Sequence, residues 1–198
     1  MQVALLLLYP LNVHLGIALE WPVMQLFAIM ALAAGILYKG LKRGDSLPWL
    51  IFLPVVLVSA GTAYFDIAIF ILYLPPILIP LLIFSLFFRS LMPGGIPVVT
   101  DIGEQARGPL TAEMRHYTRM VTVVWVVVLG LLTLEAAILP WVASEIVWSL
   151  FTNVVNYLVI AFLFAGEYVV RRVRFRDHDH PGFIQYLRII FNANVRKR

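Results

Sequence analysis

The chain has 198 residues, of which 62% are hydrophobic and 13% charged, with a formal net charge of +4. An ordinary soluble domain has roughly 45–50% apolar and about 25% charged residues. This composition excludes a soluble globular domain, a disordered chain and a disulfide scaffold, and it points to an integral membrane protein. The absence of cysteine removes thiolate nucleophiles, Cys-ligated zinc and iron–sulfur clusters.

Six apolar stretches follow one another, at residues 3–19, 23–38, 49–64, 67–91, 121–140 and 146–170. The first is interrupted by Pro10, Asn12 and His14. It lacks a basic leader and an A-x-A-like site, so it reads as a retained span and not a signal peptide. Pro22 suits the first turn of the second stretch. Asp45 to Pro48 opens the third with a capping signal, and Asp66 is a natural N-cap for the fourth. Pro75, Pro76 and Pro80 interrupt that fourth stretch. A membrane helix needs about 20 residues. The last two stretches meet this easily; the first three are short, and the first could instead be re-entrant or interfacial. The expected fold is all-α, a bundle of about six membrane helices over residues 1–176. Residues 177–198 form a basic tail whose residues 181–195 have amphipathic helical spacing.

Charge placement sets the expected orientation. With six spans, all 15 basic residues fall in or beside the second loop, the fourth loop and the C-terminal tail. The opposite loops carry Glu20, Asp66 and Glu145 and no basic residue. The positive-inside rule then places both termini in the cytoplasm. That face carries 15 basic residues against six acidic ones, a difference of +9. It would attract anionic lipid headgroups or an acidic soluble protein. Nucleic acid is not an expected partner, because no basic and aromatic domain stands outside the membrane. The fourth loop, about 92–119, is the only sizeable connection. Thr111 can cap a helix running through Arg115 and Arg119 into the fifth span, with Gly108-Pro109 separating it from residues 100–107.

Polar residues inside apolar stretches are the best pointers to function. Ser149, Asn153, Asn156 and Glu167 share one helical face with Ile160 and Leu163. Glu167 precedes Arg171 by four residues, a spacing that suits an ion pair. His14, Glu135, Asn153 and Asn156 fall at similar depth in the outer half, and form a candidate buried polar cluster. Its roles range from structural hydrogen bonding to a proton relay or headgroup site. Arg107, Arg115, Arg119, Arg171, Arg172, Arg174 and Arg176 form the candidate partner or lipid face. Asp177-His178-Asp179-His180 lacks the spaced second pair of a zinc site and reads as a solvated turn. No metal and no cofactor are expected. An H-x4-D box, a nucleophile elbow, an H-E-x-x-H motif and a P-loop are all missing.

Three segments carry a resemblance. They are Met92-Pro93-Gly94-Gly95-Ile96-Pro97-Val98-Val99-Thr100, Tyr117-Thr118-Arg119-Met120-Val121-Thr122-Val123-Val124-Trp125, and Gly166-Glu167-Tyr168-Val169-Val170-Arg171-Arg172. Over about residues 90–176 the chain resembles small bacterial inner-membrane proteins that accompany aryl polyene or xanthomonadin-like pathways. The resemblance implies a setting of acyl-chain or pigment assembly, with acyl carrier protein and ketosynthase components nearby. It carries over no catalytic residue.

The sequence therefore leaves three functions open. The first is an adaptor that brings acyl-chain enzymes or a carrier protein to the cytosolic leaflet. The second is a small transporter or lipid flippase component built on the polar cluster, most simply as a homo-oligomer. The third is a membrane acyl or group transferase.

Overall fold

The computed structural model describes residues 1–64 and 68–175, together with all side chains in them except those of residues 63, 64, 68 and 107. Among the described residues all regular structure is helical. The elements are α1 (Gln2–Ala18), α2 (Pro22–Arg43), α3 (Ser46–Tyr64), α4 (Ala68–Leu72), α5 (Leu74–Ser90), α6 (Val98–Arg107), α7 (Ala112–Val142), α8 (Glu145–Leu150), a π-helical turn (Phe151–Val155) and α9 (Asn156–Arg174). Four helical segments are long and apolar enough to cross a membrane: Pro22–Arg43, Ile69–Ser90, Ala112–Val142 and Glu145–Arg174. Gln2–Ala18 and Ser46–Thr62 are apolar but shorter. The tail from residue 176 onward, with its expected amphipathic helix, and the Asp66 cap lie outside the described residues.

The chain divides into two compact units, residues 1–78 with 134–158, and residues 79–133 with 159–198. In the first, α1 and α2 pack as an antiparallel hairpin. Glycines let the two backbones approach, as is common between apolar helices. A Cβ on Gly35 would stand 2.7 Å from Leu6 Cδ2, and one on Gly16 would stand 3.0 Å from Met24 Cβ. Gln2 Nε2 ties the open end by donating to the Gly35 carbonyl at 3.1 Å. Gly44 ends α2 in the left-handed conformation, φ 76°, after Lys42 and Arg43 in the last turn. The core of this unit is Tyr9, Val13, Ala28, Ile29, Leu72 and Trp148. The Tyr73 ring meets Trp148 edge-on, with centroids 4.7 Å apart.

The prolines of the fourth stretch explain its break. Pro75 and Pro76 bring no N–H to the carbonyls of Ile71 and Leu72, four residues earlier. The helix stops at Leu72 and restarts at Leu74. The buried Tyr9 hydroxyl donates to the Leu72 carbonyl at 3.3 Å, supplying the partner that Pro76 cannot.

In the second unit, α6 docks on the start of α7. Pro97 precedes α6 and offers no capping side chain, so hydroxyls from elsewhere serve its first N–H groups. Val98 N donates to Ser90 Oγ at 3.2 Å and Val99 N to Thr122 Oγ1 at 3.3 Å. Thr100 and Thr118 share a buried hydroxyl contact of 2.7 Å. Gly108, with φ 82°, ends α6, and Thr111 Oγ1 accepts from Met114 N to cap α7. Trp125 packs between Phe87 and Phe164, with centroids 6.1 and 4.7 Å away.

Two outcomes follow for thermal unfolding in detergent. Gly35→Val should destabilise the α1–α2 hairpin by about 1–3 kcal/mol, as overpacking does, whereas Gly61→Ala, with open space at its Cβ, should leave the melting temperature unchanged. Tyr9→Phe should cost about 1 kcal/mol by removing the donor to Leu72.

Candidate functional site

The four residues of the expected polar cluster, His14, Glu135, Asn153 and Asn156, all belong to the first unit. Of the four, the structure sets only Glu135 directly against Asn156; His14 and Asn153 meet Ser149 and Thr152 instead. Ser149, Thr152, Asn153 and Asn156 are all buried. His14 reaches this face from α1, with Nδ1 3.2 Å from Ser149 Oγ; the ring tautomer decides which atom donates. Glu135 reaches it from α7, where its carboxyl group faces the Asn156 side chain. Asn153 Nδ2 donates to Thr152 Oγ1 at 3.1 Å. Among the described residues no hydrogen bond joins His14 to Glu135.

The π turn accounts for the crowding of polar groups here. Its wider winding places Thr152 and Asn153 side by side in the interior, and such turns recur at functional positions. Thr152 Oγ1 also donates back to the Trp148 carbonyl at 2.8 Å. Three buried polar atoms of this region have no hydrogen-bond partner among the described residues: Glu135 Oε1, Asn153 Oδ1 and Trp148 Nε1. Ser149, Thr152 and Trp148 were not part of the cluster expected from sequence. The four-residue step from Ser149 to Asn153 was the available signal for Ser149; nothing in the sequence signals the π turn.

The described residues of the expected basic face all fall in the second unit. Here the structure forms a small platform from α6, the first turns of α7 and the end of α9. Arg115 pairs with Glu104 across 2.7 Å, and Arg174 with Glu113 across 3.4 Å. Arg171 Nε lies 3.7 Å from the buried Glu167, the expected i,i+4 pair. The Arg174 guanidinium also stands 5.9 Å from the Tyr117 ring centre. Tyr117 donates to the Glu167 carbonyl at 3.4 Å and meets Phe175 edge-on at 5.4 Å. Met114, Tyr117 and Phe175 form the small core beneath. Arg119 and Arg172 are exposed. Arg107 closes α6, but its side chain, like all of Arg176, lies outside the described residues. Among the described residues, no group of three or more His, Asp or Glu is arranged to hold a metal.

No protein-family model, no curated protein and no solved structure matches the chain. The site readings therefore rest on the residues themselves.

A double-mutant cycle tests the link between α1 and α8. His14→Ala and Ser149→Ala should show a coupling of about 0.5–1.5 kcal/mol, the usual range for a hydrogen bond between apolar helices. Additive losses would mean that the pair contributes nothing.

Proposed function

We propose that the protein is a membrane-embedded accessory protein whose basic platform recruits an acidic soluble partner, an acyl carrier protein or an acyl-chain enzyme. The observation that carries this reading is the construction of the platform. A short polar helix, α6, is locked onto α7 by the Thr100–Thr118 contact, the Thr122 hydroxyl and the Glu104–Arg115 pair, and tied to the end of α5 by the Ser90 hydroxyl. A mere connection between two spans needs no such fastening. The result is a fixed surface from which Arg119 and Arg172 project.

The charge pattern supplies the rest. Six crossings, with α1 and α3 as the short ones, put every basic residue on one side of a bacterial inner membrane, with both termini in the cytoplasm. Anionic headgroups gather at the same face and help to orient an incoming partner. The resemblance over residues 90–176 favours aryl polyene or related acyl-chain assembly as the setting. In this reading the protein is a scaffold and the chemistry belongs to its partner.

A photocrosslinker at position 119 of the full chain, in native membranes, tests this. It should capture a small acidic carrier protein or an acyl-chain enzyme. Arg119→Glu with Arg172→Glu should weaken that capture roughly tenfold or more, since like charges facing each other across an interface cost several kcal/mol. Added salt should weaken it too. Capture of lipid alone, or capture unmoved by charge reversal, would overturn the proposal.

A further inference from the structure

The apolar segments of the first unit contain a carboxyl group that no basic residue accompanies. Residues 1–38, 46–78 and 134–158 hold no lysine or arginine. The three cations of this unit, Lys39, Lys42 and Arg43, sit together at the C-terminal end of α2. Glu135 therefore enters an apolar setting without a cationic side chain from its own surroundings. A carboxylate there is strongly disfavoured unless something neutralises it.

The hydrogen bonds sharpen the point. The Asn156 side chain faces Glu135, but an amide brings no net charge. Glu135 Oε1 stays buried with no partner. Asn153, only 5% exposed, spends its amide N–H on Thr152 and keeps a buried, unpartnered Oδ1. Two buried acceptor oxygens, Glu135 Oε1 and Asn153 Oδ1, are thus left open. The unpartnered Trp148 Nε1 offers a donor from the core cluster, again without charge. The other ionisable side chains of the first unit are Tyr9, His14, Glu20, Tyr38, Asp45, Tyr64, Asp66, Tyr73, Glu145 and Tyr157. Only His14 can become a cation, and its Nδ1 is engaged with Ser149.

We propose that Glu135, Asn153 and Asn156 form an intramembrane site for one positive charge, either a proton or an alkali cation. The carboxylate neutralises the charge, Asn156 orients the carboxyl group, and Asn153 Oδ1 supplies a neutral acceptor oxygen. The site is independent of the basic platform, so either proposal can fail alone.

A hydrophobic carbodiimide, which modifies protonated carboxyl groups in apolar surroundings, reads the site directly. The full-length protein would be treated in lipid vesicles over a series of pH values, and the adduct located by mass spectrometry. Glu135 should be modified at low pH and progressively spared as pH rises. At one fixed pH, sparing by sodium chloride but not by choline chloride would identify an alkali cation; equal labelling in both salts would identify the proton. Glu135→Gln should abolish this adduct, and Asn156→Leu should move the pH at which labelling is half complete. Labelling of Glu135 that ignores both pH and sodium, or no labelling at any pH, would overturn the proposal.

Discussion

Nearly every polar contact in this chain answers one constraint: in an apolar setting, a backbone or side-chain polar group must find its partner within the protein. Pro75 and Pro76 break a helix, and Tyr9 donates to the carbonyl that Pro76 abandons. Pro97 cannot cap α6, and hydroxyls from Ser90 and Thr122 take over its first N–H groups. Ser59, Ser85, Thr133 and Thr152 donate back to carbonyls four residues earlier on their own helices. Against so complete an accounting, the unpartnered oxygens of Glu135 and Asn153 stand out.

The two units handle charge differently. The first gathers its lysines and arginine at one helix end and leaves Glu135 facing the Asn156 amide. The second places acids beside bases. Its pairs at Glu104–Arg115 and Glu113–Arg174 are substantially exposed. Each contributes about 0–1 kcal/mol at most. Their effect is on direction more than on stability: they hold Arg115 and Arg174 against the platform. Arg119 and Arg172 stay exposed, and in the proposed reading they are the guanidinium groups that meet the partner.

Hydropathy made the long helices legible, because a stretch of apolar side chains leaves the backbone little choice but a helix. The step of three and four from Ser149 through Asn156 to Glu167 made the buried face of the last span legible, and the polar residues on it are all buried. Thr111 was readable as a cap for the same local reason. What could not be read was anything that depends on two distant segments meeting. The Tyr9–Leu72 bond spans 63 residues and the His14–Ser149 contact 135. Neither leaves a spacing to recognise. The π turn is also silent in sequence, since one extra residue per turn changes no hydrophobic period visible over five residues.

The short helix α1 shows why length alone undervalues such segments. Its 17 residues extend about 25 Å at 1.5 Å per residue, short of the roughly 30 Å of a bilayer core. Yet it contributes Tyr9 and Val13 to the core, Tyr9 to the broken helix and His14 to the polar face. Gly16, within α1, and Gly35 of α2 let the two helices pack closely enough for Gln2 to reach the Gly35 carbonyl. Lengthening α1 with apolar residues would add hydrophobic span but would not replace these bonds. Its role is set by the side chains it delivers to the neighbouring helices.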